Sequence, residues 1–135
     1  MSQENVETFQ RIVEAANRQA FEAVIEDLDP AVEWYPAVQV GLRGEATVYR
    51  GYEGVRAVFQ DAQEGWEEIN YEFSEIRDLG DRLVASGRVR MRGRSSGVET
   101  ESPIGYLVEF RNGKLIQARS YLDPAKALEA AGLRA

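Results

Sequence analysis

The first third of the chain carries hydrophobic residues at helical spacing. Four of them recur every three or four positions after Ser2, a suitable N-cap, and predict an amphipathic helix: Val6, Phe9, Val13 and Ala16. The same spacing predicts a second short helix from Phe21 through Leu28. It ends at Asp29-Pro30, because the residue before a proline resists helical geometry.

Three further elements follow from local signals. AVEWYP (31–36) predicts a short strand, and apolar residues on one face predict a helix over residues 51–65. Near the end of the chain, Asp123 is expected to cap a helix with Pro124 at its first position. Gly132 is expected to end that helix.

From Ile69 onward the hydrophobic residues alternate with polar ones, which predicts strands with one buried face. Turn-like sequences separate four such segments: LGDR (79–82), RSSG (94–97) and RNGK (111–114). The Asn112-Gly113 pair is typical of a hairpin, and we expect a three-residue loop with Gly113 left-handed. Helices, a short strand, a helix, a four-strand antiparallel meander and a closing helix predict an α+β fold, with one domain over residues 1–135.

The stretch RVRMRGR (88–94) places an arginine at every second position. A two-residue turn at Ser95-Ser96 would place three pairs across the hairpin: Arg94 with Gly97, Arg92 with Glu99 and Arg90 with Glu101. Opposite charges directly across a ladder contribute roughly 0.2–1 kcal/mol per pair. We therefore interpret the arginines as an outer face, solvated or facing a second subunit. Interleaved glutamates and the lack of flanking aromatic residues argue against a nucleic-acid surface.

The residues between the arginines lie on the opposite face of the same strand. Carrying this alternation through the next two strands places eight residues on one largely apolar face: Val89, Met91, Ile104, Tyr106, Val108, Ile116, Ala118 and Ser120. Its hydroxyl groups are isolated among apolar side chains. A binding pocket is expected on this face.

Composition then narrows the chemistry. The chain of 135 residues has 16 Lys and Arg against 23 Asp and Glu, so its formal charge is 16 − 23 = −7, which opposes attraction to nucleic acids or anionic membranes. It has neither cysteine nor histidine, which excludes disulfides, thiolate metal sites and histidine bases. Neither a signal-peptide pattern nor an apolar run long enough to cross a bilayer is present, so we expect a cytoplasmic protein.

Four segments together resemble the SnoaL-like branch of the nuclear transport factor 2-like superfamily, over nearly the whole chain: DLDPAVEWYP, VYRGYEGVRAVF, GVETESPIGYLVEFRNGKLIQARSYLD and ALEAAGL. The resemblance implies a cone-shaped, curved antiparallel sheet wrapped around N-terminal helices, with a short C-terminal helix. It also implies a conical pocket and a homodimer formed through the outer face of the sheet. Because one fold hosts many functions, it implies a fold rather than an activity.

Relatives in this superfamily include ketosteroid isomerases, polyketide cyclases, limonene-type epoxide hydrolases and non-catalytic domains. By this resemblance, the aspartate base of the isomerases falls at Trp34 and their helix-one tyrosine falls at Ile12. Their protonated acid falls at Gly105, or at Tyr106 when the strand is registered from the Asn-Gly turn. The base is therefore missing, and the phenol of Tyr106 is the candidate catalytic group.

The candidate pocket combines the inner face of the meander with aromatic residues of the short strand and the helices. Tyr49 would reach over it from the loop before the third helix. The full set is Trp34, Tyr49, Phe59, Trp66, Val89, Met91, Tyr106, Val108, Ala118 and Ser120. Because no glycine-rich phosphate loop and no metal-ligand spacing occurs, we expect no cofactor and no metal.

Three functions are compatible with these residues. The first is a domain that holds a small, mainly apolar molecule in an aromatic-lined cone, with or without weak activity through Tyr106. The second is an isomerase, cyclase or hydrolase acting on a polyketide-, steroid- or terpenoid-like substrate. That enzyme would require an acid directed into the cone: Glu33, Glu45, Glu53 or Glu101. The third is a non-catalytic dimerisation domain with a vestigial pocket.

Overall fold

The computed structural model describes residues 2–36 and 48–133. Four helices and six strands occur in these ranges: α1 (Ser2–Asn17), α2 (Phe21–Ile25), β1 (Leu28–Tyr35), β2 (Tyr49–Arg50), α3 (Gly51–Gly65), β3 (Trp66–Asp78), β4 (Arg82–Gly93), β5 (Glu99–Arg111), β6 (Lys114–Tyr121) and α4 (Pro124–Ala130). The strands form one curved, open sheet in the order β2-β1-β6-β5-β4-β3. The predicted α+β architecture and the antiparallel meander β3 to β6 are confirmed.

Strand β1 begins earlier than the sequence pattern indicates. The prediction that the second helix runs through Leu28 is wrong, because α2 ends at Ile25 and Leu28 already pairs with Leu115 of β6. Leu28 is buried in the core, so tertiary packing overrides its helical spacing. Pro30 lies where the β1–β6 register is interrupted, and a residue without an N–H is tolerated there. Strand β1 runs parallel to β6, a pairing that alternation along one strand does not reveal.

The hairpin between β4 and β5 closes through four residues rather than two. The Gly93 N–H donates to the Val98 carbonyl at 3.0 Å, so the predicted pairing of Arg94 with Gly97 is wrong. Both loop lengths give the same register, and the predicted pairs of Arg90 and Arg92 with the glutamates of β5 are confirmed. Arg94 instead donates to the carbonyl oxygens of Gln63 at 2.8 Å and Trp66 at 3.3 Å, at the end of α3.

The hairpin between β5 and β6 also differs from its prediction. Asn112 and Gly113 both have positive φ, at 52° and 78°, which is the two-residue type I′ turn rather than a three-residue loop. The extra residue lies instead in a bulge around Ile116. Tyr106 lies opposite Ser120, and both residues are on the inner face, as expected, but Leu115 rather than Ile116 belongs to the hydrophobic core.

The two faces of the sheet have different covers. Helices α1, α2 and α3 pack on the inner face, which carries Leu83, Ala85 and Val89. Helix α4 packs on the outer face over Val84 and Leu107. Asp123 caps α4 by accepting a hydrogen bond from the Ala125 N–H at 3.0 Å, as predicted.

The rest of the outer face carries the arginine ladder. Arg88 and Arg90 both contact Glu101, at 2.7 and 3.5 Å. Arg92 contacts Glu67 at 3.0 Å and Glu99 at 3.8 Å. These side chains are largely exposed, so each pair contributes little to stability. Among the described helices, none is long and apolar enough to cross a membrane.

Candidate functional site

A cavity of about 100 Å³ lies between α1, α3 and the inner face of the sheet. Seven aromatic side chains contribute to its lining: Phe9, Trp34, Phe59, Trp66, Tyr71, Phe73 and Tyr106. Aliphatic residues of α1 and the sheet complete most of the remaining surface. Such a lining, with few polar groups, is typical of small-molecule sites.

Three neighbouring strands form the floor of the cavity. Val108 of β5 lies opposite Ala118 of β6, which in turn lies beside Trp34 of β1. One step along the sheet, Tyr106 lies opposite Ser120. Because side chains at alternate positions share a face, these five residues project together to the inner side. The small Ala118 leaves space in the floor between larger neighbours.

Tyr106 is the centre of the aromatic cluster. Its ring centroid lies 5.8 Å from that of Phe73 and 6.2 Å from that of Tyr71. The rings of Trp34 and Phe9 lie at 6.3 and 6.4 Å. All four arrangements are edge-to-face, the geometry that aromatic quadrupoles favour. The Tyr106 ring is thereby held in place from strands β1 and β3 and from helix α1.

Tyr71 and Ser120 both affect the ionisation of the buried Tyr106 phenol. Burial raises the pKa of Tyr106 well above its usual value, and Tyr71 raises it further through its charge and a hydrogen bond. A hydrogen bond with Ser120 lowers the pKa of Tyr106, an effect that belongs to the ionised phenolate. Burial also raises the pKa of Tyr71. Both phenols therefore stay protonated near neutral pH and act as hydrogen-bonding groups, not as bases.

Asn17, the last residue of α1, holds the Tyr71 backbone in place. The Asn17 side-chain amide donates to the Tyr71 carbonyl at 2.9 Å and accepts from the Tyr71 N–H at 2.8 Å. These two bonds reproduce the exchange that a neighbouring strand would make with an edge strand. They fix the position of Tyr71 beside Tyr106, and they cover part of the open edge of β3.

Seven of the ten residues expected in the pocket line the cavity: Trp34, Phe59, Trp66, Tyr106, Val108, Ala118 and Ser120. Tyr49, Val89 and Met91 lie outside the lining. The Tyr49 hydroxyl donates to Asp61 of α3 at 3.3 Å, so this side chain packs along the helix. Val89 and Met91 are on the inner face, as expected, but they are buried within the core. Alternation assigns a face, whereas the overlying helices decide whether a residue on that face borders a cavity.

Several lining residues were not among the expected set. Tyr71 and Phe73 share the inner face of β3, where the alternation from Ile69 onward already indicated a buried side. Phe9 and Val13 belong to the apolar stripe of α1. Both signals were present in the sequence, but nothing in them pointed to a cavity rather than to filled core.

The acids that could serve as catalytic bases lie elsewhere. Glu33 accepts a hydrogen bond from Gln117 at 3.2 Å, and Glu101 pairs with Arg88. Glu53 contacts Arg56 at 3.6 Å, and Glu45 lies outside the described residues. Among the residues that the structure describes, no carboxylate lines the cavity and no cluster of acids could hold a metal ion.

Sequence comparison with family models matches residues 9–118 to the SnoaL-like domain. No curated protein matches the chain in sequence. Among solved structures, an NTF2-like protein from Burkholderia pseudomallei K96243 is similar with a TM-score of 0.80 at 21% identity, covering 93% of this chain and 95% of that one.

Two further structures were determined with small molecules. TerC, co-crystallized with polyporic acid, has a TM-score of 0.80 at 18% identity, with 93% of this chain and 96% of that chain covered. A protein with a ketosteroid isomerase-like fold from Catenulispora acidiphila DSM 44928, in complex with trimethylamine, has a TM-score of 0.75 at 12% identity. That comparison covers 94% of this chain and 93% of the other. At these identities the structures establish a shared fold, and the family match spans most of the sequence; the chain belongs to the SnoaL-like domain family.

Proposed function

We propose that this protein binds a small, mainly apolar molecule in the aromatic-lined cavity. One observation carries the proposal: the cavity lining is mostly apolar, with seven aromatic side chains, and includes only a few polar side chains, among them Tyr71, Tyr106 and Ser120. Apolar contact provides affinity, at about 25 cal/mol for each Å² removed from water. A few polar groups in the lining provide orientation.

The similar structures with bound small molecules support a ligand site in this fold. Polyporic acid and trimethylamine are ligands of those proteins, and their chemistry is not carried over to this chain. The support lies in the shared architecture, in which a curved sheet and its helices surround a cavity.

An isomerase, cyclase or hydrolase function has less support. General acid–base catalysis requires a group that changes protonation near the working pH, within hydrogen-bond reach of the substrate. Glu33, Glu53 and Glu101 pair with groups outside the cavity. Tyr106, with its raised pKa, can orient a polar atom but is a poor proton acceptor. We therefore favour binding over catalysis.

Intrinsic fluorescence provides a direct test, because both tryptophans of the chain line the cavity. Cyclohexanol, which does not absorb in the tryptophan range, is titrated into the protein. We expect a saturable change in emission. Ala118→Ile, which extends a branched side chain into the space over the floor, should abolish that change.

Ala31→Ile is the matched control, because Ala31 is an exposed alanine of β1 and lies outside the cavity lining. This variant should bind like the wild type. A wild-type titration without saturation would refute the proposal, as would unchanged binding in a folded Ala118→Ile variant. Circular dichroism of each variant establishes that it is folded.

We also propose that the protein forms a homodimer in the cytoplasm through the part of the outer face that α4 leaves uncovered. The support is the mixed charge of this surface, where Arg88, Arg90, Glu72 and Glu101 surround a shallow polar depression. A two-fold contact could place the arginines of one copy against the glutamates of the other. Light scattering should give twice the chain mass of 15.2 kDa, decreasing at high salt. A monomer at all concentrations would refute this proposal.

A further inference from the structure

We propose that Gln19 and Gln63 hold the polar head group of the ligand at the open end of the cavity. The ligand class that fits them is an apolar ring carrying a head group that both donates and accepts hydrogen bonds, as a carboxamide does. This inference rests on the proposed binding function. Two independent observations support it: the exposure of the residues that line the cavity and the backbone conformation of Gln19.

The exposure of the lining residues marks the open end of the cavity. Most of them are buried or half-buried, and among those that the structure describes only Gln19 and Gln63 are exposed. Gln19 follows the end of α1, and Gln63 lies in the last turn of α3. Neither carboxamide is hydrogen-bonded to another described residue. Both are therefore available to a ligand that extends from the apolar interior to the solvent.

The backbone of Gln19 adopts a conformation that favours glycine. Its φ is 59°, in the left-handed region, where a β-carbon crowds the following carbonyl oxygen. The Gln19 N–H donates to the Ala16 carbonyl at 2.9 Å. The Ala20 N–H donates to the Ala15 carbonyl at 2.8 Å, and the two bonds together form the Schellman motif that ends many helices. Glycine is the usual residue at this position because it has no β-carbon.

Local structure does not account for glutamine at this position. Within the described part of the chain, Asn112 is the other residue besides glycine with a positive φ. Asparagine is enriched in that region, and the type I′ turn at Asn112 requires it. Backbone strain that persists in a fold is concentrated at ligand-binding sites. Since Gln19 lines the cavity, we assign its strained conformation to placing a carboxamide beside the ligand.

The chemistry of the carboxamide indicates the head group. Each glutamine side chain offers one acceptor oxygen and an NH₂ group with two donors. A head group that both donates and accepts can pair with the oxygen and the NH₂ group, whereas a ketone can pair with the NH₂ group alone. One hydrogen bond of this kind corresponds to a roughly two- to tenfold change in affinity.

The experiment compares benzamide with acetophenone. Both have a phenyl ring and a carbonyl group, and the NH₂ group of benzamide takes the place of the methyl group of acetophenone. Their dissociation constants are measured by calorimetry on the wild type, Gln19→Gly and Gln19→Ala. We expect both variants to bind benzamide roughly two- to tenfold more weakly and to lose less affinity for acetophenone.

Thermal unfolding of the same two variants separates binding from stability. Gln19→Gly should raise Tm by a few degrees, because it removes the crowded β-carbon. Gln19→Ala retains the β-carbon and should not raise Tm. A residue with a purely structural role would not combine higher stability with weaker binding of benzamide.

Matched controls exist for both glutamines. Asn112→Gly changes the other residue with positive φ, outside the cavity lining, and should leave both dissociation constants unchanged. Gln63→Ala should lower the preference for benzamide, as the Gln19 variants do. Gln60→Ala is its control, because Gln60 is an exposed glutamine of the same helix that does not line the cavity.

The outcomes separate this inference from the binding function. Unchanged benzamide binding in the Gln19 variants, or an equal loss for both probes, would overturn the inference. A Gln19→Gly variant no more stable than the wild type would remove the strain on which the inference rests. If cyclohexanol binds and neither probe does, the inference is overturned and the binding function stands. If none of the three molecules binds, the binding function is overturned as well.

Discussion

The ring of Tyr106 packs against other aromatic side chains, and its hydroxyl is a polar group within this apolar site. The alternation of β5 places its ring on the inner face, and four aromatic neighbours hold it there. Its hydroxyl is buried, and Tyr71 and Ser120 both affect its ionisation. Such a residue contributes to stability as the neutral phenol, because burial in apolar surroundings disfavours the charged phenolate.

Alkaline pH should therefore destabilise the protein through Tyr106. Its pKa is higher in the folded than in the unfolded chain. The folded state then retains the proton where the unfolded state has lost it, so the stabilisation is complete below about pH 10 and is lost as pH rises further. In urea denaturation above about pH 9, the unfolding free energy of Tyr106→Phe should fall less steeply with pH than that of the wild type.

Tyr52→Phe is the comparison for that experiment, because Tyr52 is more than a third exposed and donates to the Leu28 carbonyl away from the cavity. Its decline at alkaline pH should match that of the wild type. If the unfolding free energy falls equally steeply with pH in Tyr106→Phe and in the wild type, the phenol of Tyr106 is not the cause of the decline.

At the scale of elements, strand β5 contributes side chains to both faces of the sheet. Tyr106 and Val108 project to the cavity, while Leu107 projects to α4 on the outer face. Gly105 provides the close approach between strand and helix. A β-carbon at Gly105 would lie 2.8 Å from the Cα atom of Pro124 and 3.0 Å from the Cβ atom of Ala127.

Gly105→Ala should therefore displace α4. Pro124 belongs to the helix backbone, so the contact cannot be relieved by a side-chain rotation. Overpacking of this kind costs about 1–3 kcal/mol in the free energy of unfolding, measured by urea denaturation. Gly65→Ala is the control, because a β-carbon there meets no atom within 4 Å. A neutral Gly105→Ala would mean that α4 is not seated on the strand as described.

At the scale of the whole molecule, the sheet separates the hydrophobic core and its cavity from the charged side chains of the outer face. The inner face holds the aromatic cavity, and the uncovered outer face holds the arginine ladder between β3, β4 and β5. The net charge of −7 opposes a general attraction of the chain to phosphate backbones, although β4 carries arginines at three alternate positions.

Replacing Arg88, Arg90 and Arg92 with glutamine should leave the fold intact and change the net charge to −7 − 3 = −10. Exposed ion pairs are worth about 0–1 kcal/mol each, so the loss in unfolding free energy should be modest. It should shrink in about 1 M salt, where the screening length is about 3 Å. Denaturation at low and high salt measures the difference. A loss that does not depend on salt would point to packing of the arginine stems instead.

The pairing of strands across the two hairpins shows which features of the sheet the sequence pattern predicts. Both hairpin loops differ from their predicted lengths, yet Arg90 lies opposite Glu101 as expected, and Tyr106 and Ser120 share the inner face as expected. In the first hairpin, loops of two and four residues preserve the same pairing. In the second, the bulge around Ile116 supplies the residue that the shorter turn lacks. Turn length and bulges can compensate for each other, and only long-range pairing decides between them.

The sequence by itself determined the order of the helices and long strands, the face of most strand residues, the outward arginines and four of the seven aromatic residues that line the cavity. It could do so because period, turn residues and caps are local properties of the chain. The tertiary structure alone decided that Leu28 begins a parallel strand, that Val89 and Met91 are filled core, and that the ring of Tyr71 packs against that of Tyr106. These outcomes depend on how α1 and β1 cover the meander, and contacts between distant segments leave no periodic signal in the sequence.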